Sequence, residues 1–192
     1  MQCFGARMSH FNISNGINIM LYVLKKMGGK TDFIHICKTI YFADQEHLAR
    51  FGSLISEDRY IAMEDGPVPS SIYDILSSLS GEGAFKRQQS NFQNYFKLEK
   101  DGCTIKALRA PVLDNLSQSA IKCLDHSIAE NKDLDYHSLS DKSHDHAWRA
   151  AQRNNVMNIF KIAEEGGATS EAIEYIANHY EMLSLDLDEY RT

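Results

Sequence analysis

The stretch Tyr60-Ile61-Ala62-Met63-Glu64-Asp65-Gly66-Pro67-Val68-Pro69-Ser70-Ser71-Ile72-Tyr73-Asp74-Ile75-Leu76 reads as a strand, a rigid turn and a helix. Two of the chain's three prolines and a glycine fall within four residues. Each proline fixes its own φ and pushes the residue before it, here Gly66 or Val68, out of the helical region. The Gly-Pro-Val-Pro segment is therefore nearly pre-set in an extended form. Pro69 suits the first helical position, where its missing N–H costs nothing, and Ser70 and Ser71 suit capping. Behind them Ile72, Ile75, Leu76 and Leu79 recur at i, i+3, i+4, i+7 and make one apolar helix face. On these residues alone the segment is a strand-to-helix connector.

Upstream, Ser14 or Asn15 is placed to cap a helix carrying Ile17, Met20, Leu21, Leu24 and Met27, which Gly28 and Gly29 end. Thr31 or Asp32 caps a second helix, apolar at Phe33, Ile36, Cys37, Ile40 and Leu48 and stopping at Phe51-Gly52. Asp44 lies four residues from both Ile40 and Leu48, on the same stripe. A carboxylate there is expensive unless it is paired or accepts hydrogen bonds. Two readings stay open for it: a structural acid bonding backbone N–H groups or an arginine, or a functional group.

Downstream, Gly81 closes the third helix and a hairpin follows at about residues 91–109. Phe92, Phe96 and Leu98 alternate with polar neighbours, Asp101-Gly102 is a strong turn signal, and Cys103, Ile105 and Ala107 alternate on the return. Asp114 is placed to cap a fourth helix. The polar stretch 133–146 predicts a short helix, Trp148 another, and Asn154-Asn155 a turn. Residues 157–162 read as a last strand or an irregular strap. Ser170 caps a final amphipathic helix with Ile173, Ile176, Ala177, Tyr180 and Leu183. The sum is an α+β fold, mostly helical, with a small antiparallel sheet. With 192 residues and no low-complexity linker, the chain is expected to form one domain.

Lys and Arg total 20 against 26 Asp and Glu, a formal net charge of −6. That balance disfavours a nucleic-acid binder whose affinity comes from phosphates; a compact basic patch on the folded surface would reopen the question. After Met157, eight acids (Glu164, Glu165, Glu171, Glu174, Glu181, Asp186, Asp188 and Glu189) face only Lys161 and Arg191, so the tail carries the whole imbalance. Such a helix is a solvated face, or one that steers a basic partner. No apolar run approaches the ~20 residues of a membrane span, and residues 1–7 lack the apolar core of a secretory signal; a cytoplasmic protein is expected. Cys3, Cys37, Cys103 and Cys123 contain no close pair and read as separate thiols.

Little in the chain points to catalysis. There is no Gly-x-Ser-x-Gly elbow and no phosphate loop, and no motif asks for a cofactor. The densest polar cluster is Ser140-Asp141-Lys142-Ser143-His144-Asp145-His146, followed by Trp148. A metal centre there would use His144, His146 and an acid such as Asp44. The competing reading is a packed His–Trp unit, because residues four apart share a helix face.

Lys38-Thr39-Ile40-Tyr41-Phe42-Ala43-Asp44, then Phe51-Gly52, then the Tyr60-to-Pro69 stretch with Tyr73, resemble the Panacea domain of SocA-like antitoxins and phage- or mobile-element-associated proteins. Leu139-Ser140, Ser143-His144 and Trp148 resemble that family's second signature. The resemblance covers about residues 15–150 and leaves an acidic helical extension, about 157–192, outside it. It implies an antitoxin that binds and neutralises a cognate protein toxin; no metal or cofactor is expected from the residues, and a homodimer stays open. The positions it marks for partner binding or for the family motif are Tyr41, Asp44, Tyr60, Gly66, Pro67, Val68, Pro69, Tyr73, His144 and Trp148. Two other classes remain: an adaptor or regulator of a mobile element or prophage, and a small metal-dependent enzyme using Asp44, His144 and His146.

Overall fold

The computed structural model describes residues 11–189. Its centre is a helix that the apolar stripe had announced but whose burial runs nearly all round. Helix α2 (Phe33–Phe51) buries Ile36, Ile40 and Leu48 together with the polar Lys38, Thr39, Asp44, Gln45 and His47. Asp32 caps it, accepting the His35 N–H at 2.9 Å, and Gly52 ends it in the left-handed conformation at φ 77°. Helix α1 (Ile13–Lys26) begins one step before the serine and asparagine expected to cap it; Asn12 is the cap, accepting the Asn15 N–H at 3.1 Å.

Two small sheets flank the helices. Strand β1 (Lys30–Asp32) pairs with β5 (Thr104–Ala107), and β5 with β4 (Phe96–Leu98), all antiparallel in the order β1-β5-β4. This is the expected hairpin, shorter than its sequence pattern. Phe92 lies instead in a one-turn helix, α4 (Gln89–Phe92), and Cys103 in the exposed loop. Strands β2 (Tyr60–Met63) and β3 (Gly66–Pro69) form the second sheet, with Met63 opposite Gly66 and Tyr60 opposite Pro69. The Gly-Pro-Val-Pro segment is thus a strand rather than a turn. The turn sits earlier, at Glu64 and Asp65. Proline is tolerated in an edge strand because its missing donor faces away from the ladder.

Helix α3 (Ser70–Ser78) follows directly, with Pro69 as its N-cap residue rather than its first helical one. Pro69 supplies no side-chain cap, and the serines do not either. The remote Asp58 accepts the Ser71 and Ile72 N–H groups at 2.8 and 2.9 Å. Burial of this carboxyl pushes its pKa up to about 6.

Helices α5 (Gln118–Asn131), α6 (Tyr136–Ser143), α7 (His146–Arg149), α8 (Ile159–Glu165) and α9 (Ser170–Glu189) complete the described chain. Ser117 caps α5, Asp114 being part of a preceding 3-10 turn. Thr169, not Ser170, accepts the Ala172 N–H at the start of α9. Residues 157–162 split between a strap and the start of α8: Val156 bridges to Ile61, and Met157 N–H donates to the Tyr60 carbonyl at 2.8 Å.

The core has two parts on either side of α2. One joins α1, α3 and α5 to the three-stranded sheet around Met20, Leu24, Ile36, Ile40, Leu76 and Leu124. The other joins Tyr41, Leu48, Tyr60, Ala147, Ile162 and Ile176. Each large aliphatic group withdrawn from water contributes roughly 1.5–3 kcal/mol. Cys37 and Cys123 are buried free thiols, and burial pushes the Cys37 pKa up to about 12. Residues 1–7, Cys3 and Arg191 lie outside the described residues, as does the side chain of Leu183. Among the described residues no helix is long and apolar enough to cross a membrane.

Candidate functional site

The β2–β3 hairpin lies against α2 and is held from below by a chain of buried polar contacts. Asp44 is completely buried and accepts the Ile55 N–H at 2.6 Å, the Ser56 N–H at 3.1 Å and the Tyr60 hydroxyl at 2.6 Å. It also accepts the Ser56 hydroxyl. Burial raises its pKa, and these bonds pull in the opposite direction by favouring the charged form. Of the two readings of Asp44, this geometry matches the structural acid that binds backbone N–H groups.

Six residues earlier in α2, Lys38 is also fully buried and donates to the Pro67 carbonyl at 2.9 Å. Burial lowers its pKa to about 8. Above it Gly66 adopts φ +102°, and a Cβ there would sit 2.7 Å from Lys38 Nζ and overlap Ser143 Oγ. Only glycine fits. Ser143 is held by donating to the Ser140 carbonyl at 2.8 Å, and Ser140 Oγ donates to the Asp65 carbonyl at 3.2 Å. In this way α6 closes over the hairpin turn.

Asp145 ties the second motif to α2. Its carboxylate caps α7 through the Trp148 N–H at 2.9 Å. It also accepts the Tyr41 hydroxyl at 2.8 Å and the Gln45 amide at 2.7 Å. Burial pushes the Tyr41 pKa up, so the phenol stays a donor. His144 and Trp148 stack with centroids 3.9 Å apart. They do so across the break between α6 and α7 rather than on one helix face, since His144 is the C-cap of α6. The indole N–H donates to the Met63 carbonyl at 2.9 Å, and His144 Nε2 meets the Glu64 carbonyl at 3.1 Å.

The marked residues therefore gather around one hairpin but divide by depth. Tyr41 and Asp44 are buried beneath it and Tyr60, Gly66, Pro67, Val68 and Pro69 are buried within it, whereas His144 and Trp148 are half-buried at its rim and Tyr73 is exposed on α3. A cleft of about 290 Å³ opens beside the hairpin, lined by Ala62, Glu64, Trp148, Arg149, Ala151 and Arg153. Asp44, His144 and His146 do not converge: Asp44 is enclosed, His144 is stacked, and the exposed His146 reaches Glu165 through its backbone N–H. Among the described residues no group of three or more His, Cys, Asp or Glu side chains is spaced to hold a metal ion.

Sequence reasoning passed over Lys38, Asp58, Ser143 and Asp145 as contributors. Lys38, Ser143 and Asp145 stood inside the quoted motifs. A lysine in the middle of an apolar helix, three positions before Tyr41, was the available signal. Its chemistry gives a direct test. Because the folded-state pKa of Lys38 lies below its ordinary 10.5, the unfolded chain binds more protons between pH 8 and 10.5, and the stability contributed by this group rises with pH across that window. Replacing Lys38 with methionine removes the effect. The stability of the native protein relative to Lys38→Met, measured by urea unfolding, is expected to rise by about 3 kcal/mol between pH 7 and pH 10.5. A difference independent of pH would show that the ammonium is not buried.

No curated protein and no solved structure matches the chain. The family model described as "Antitoxin SocA-like, Panacea domain" matches residues 36–149, more than half of the chain. The matched range runs from the middle of the first turns of α2 to the end of α7, and so takes in the hairpin, the helices that clamp it and both polar motifs. On that match the chain belongs to the SocA-like antitoxin family, the proteins built on a Panacea domain.

Proposed function

We propose that the chain is the antitoxin of a toxin–antitoxin pair and neutralises its cognate protein toxin by direct association. The family match over residues 36–149 supports this reading. In it the whole chain acts as one Panacea-like unit in the cytoplasm of its host, with the acidic helical extension drawing in basic groups of the toxin. Glu164, Glu165, Glu171 and Glu174 are exposed, as that role requires. The contact surface is the rim of the hairpin: Glu64, Asp65, His144 and Trp148, with Tyr73 on α3. Tyr41, Asp44, Tyr60 and the Gly66–Pro69 strand act from beneath by holding that rim in one shape. A pre-formed turn loses little entropy on binding, and Trp and Tyr dominate interface energies.

The test is co-expression with the product of the neighbouring open reading frame. The neighbour alone is expected to arrest growth; this chain is expected to restore growth and to co-purify with it. The double variant Asp65→Lys/Tyr73→Ala, melting like the native protein, is expected to bind the toxin at least ten-fold more weakly by calorimetry. Unchanged affinity would remove the rim from the interface. A harmless neighbour that does not co-purify would remove the antitoxin reading itself.

A further inference from the structure

The outward face of the three-stranded sheet carries charge in an arrangement that folding alone disfavours. Register sets Lys30 opposite Lys106 and Lys106 opposite Lys97. All three are exposed, while Ile105 and Phe96, one step away on their strands, point into the core. Directly opposed residues share a face, and like charges there destabilise the pair. At the ordinary strand spacing the row spans about 10 Å. Among the described residues none of the three lysines makes an ion pair. Lysines on edge strands guard a sheet against pairing with another chain, which accounts for Lys30 and Lys97. Lys106 is on the central strand and has no edge to guard.

The neighbouring row adds an aromatic, Tyr95, which is half-buried and packs against the core on one side. Leu108 N–H donates to the Tyr95 carbonyl at 2.8 Å, continuing the ladder. The Arg109 guanidinium lies 4.9 Å from the centre of the Tyr95 ring, and its Nε donates to the Asn94 carbonyl at 3.0 Å. Cations beside a ring carrying a cation on its face are the parts of a single-strand nucleic-acid platform. On the other flank of the lysines the next row of the same face holds Asp32, Thr104 and Glu99. Asp32 caps α2 and bonds His35 at 2.7 Å, Asp101 in the loop accepts the Cys103 and Thr104 N–H groups, and Glu99 is the carboxylate beside Lys97.

The acidic overall charge is unevenly spread over the chain. The chain's excess of acid lies after Met157. Helix α9 meets α2 at its C-terminal end, where Tyr175 covers Gly52, whereas β1 leads straight into the N-terminus of α2. Nineteen helical residues separate the two ends, roughly 28 Å, or about three Debye lengths at physiological salt; α8, with Glu164 and Glu165, stands nearer, since Gly166 meets the Gln45 carbonyl partway along α2.

We propose that this face binds single-stranded nucleic acid through its phosphate backbone, Lys30, Lys97, Lys106 and Arg109 neutralising phosphates and the Tyr95–Arg109 pair giving a base a surface to stack on. Fluorescence anisotropy of a labelled 20-nucleotide oligo-dT with the full chain tests it between 25 and 200 mM NaCl. Four neutralised phosphates predict a slope of log K against log salt of about −3. The triple variant Lys30→Gln/Lys97→Gln/Lys106→Gln is expected to lose at least ten-fold in affinity while melting no lower than the native protein, since a like-charge row has been removed. Tyr95→Ala is expected to weaken binding with little change in slope. No anisotropy change at 25 mM NaCl, or equal affinity of the triple variant, overturns the proposal. Poly-glutamate competing as well as unlabelled oligo-dT also overturns it, in favour of an acidic protein surface. Rescue from the toxin by the triple variant separates this site from the toxin-binding reading.

Discussion

Substituting Asp44 by alanine is expected to destabilise the fold by about 3–5 kcal/mol, the scale for removing one side of a buried charged network. Four donors converge on this carboxylate: the N–H groups of Ile55 and Ser56 and the hydroxyls of Ser56 and Tyr60. Alanine would leave the two backbone N–H groups in a site that water does not reach, and would open a cavity against Tyr60. The connection from α2 to β2 would lose its anchor, so the hairpin should loosen before the rest of the core. Asp44→Asn keeps the volume and one acceptor, and the two hydroxyls can turn to accept from its amide; a smaller loss, about 1–2 kcal/mol, is expected. Chemical denaturation of the two variants, with hydrogen exchange at Ile55 and Ser56, measures both effects. A loss under 1 kcal/mol for alanine would mean that these donors find other partners and that Asp44 is held for another reason.

Gly66→Ala is expected to cost about 2–4 kcal/mol, from a backbone conformation that L-residues avoid combined with steric overlap. For a chain of this size that lowers the melting temperature by roughly 5–15 °C. The added methyl meets Ser143 Oγ and Lys38 Nζ, and both are packed beneath the turn rather than free to swing into solvent. Relief is therefore specific. Ser143→Gly in the same chain removes the nearer obstacle, and the double variant is expected to be more stable than the sum of the single losses predicts. The strain at φ +102° remains, so recovery should be partial. Strict additivity would show that the clash with α6 contributes nothing.

Both residues lie beneath the proposed contact rim, and that placement gives their expected effects a common signature. A change at Asp44 or Gly66 should lower thermal stability and toxin affinity together, because the rim loses its support. A change at Asp65 or Tyr73 should lower affinity alone.

Much of this arrangement was legible in the residues. The apolar spacing of α2, its cap at Asp32 and its stop at Gly52 are local, and they stand in the structure where their chemistry puts them. Asp101-Gly102 marked the hairpin correctly, because a turn needs little beyond its own residues. Errors arose where a local signal met a competitor distant in the chain. Ser70 and Ser71 are good caps in isolation, yet Asp58 reaches the start of α3 from twelve residues before Ser70. Gly66 and Pro67 look like a turn, yet pairing with β2 uses their extended form as a strand and leaves the turn to Glu64 and Asp65.

By themselves the residues determined the class of the fold, the rigid extended form of the Gly66–Pro69 segment and the family to which the chain belongs. Each follows from dihedral limits, periodicity or motif, which a linear string carries in full. Only the tertiary structure decided that Asp44 and Lys38 face the same hairpin, that Asp145 ties α7 to α2, and which marked residues are buried and which reach the surface. Hydrogen bonds such as Tyr41 to Asp145, 104 positions apart, depend on how helices pack around α2, and no local pattern encodes that. The same holds for the lysine row, where three exposed charges became one feature only when strand register placed them side by side.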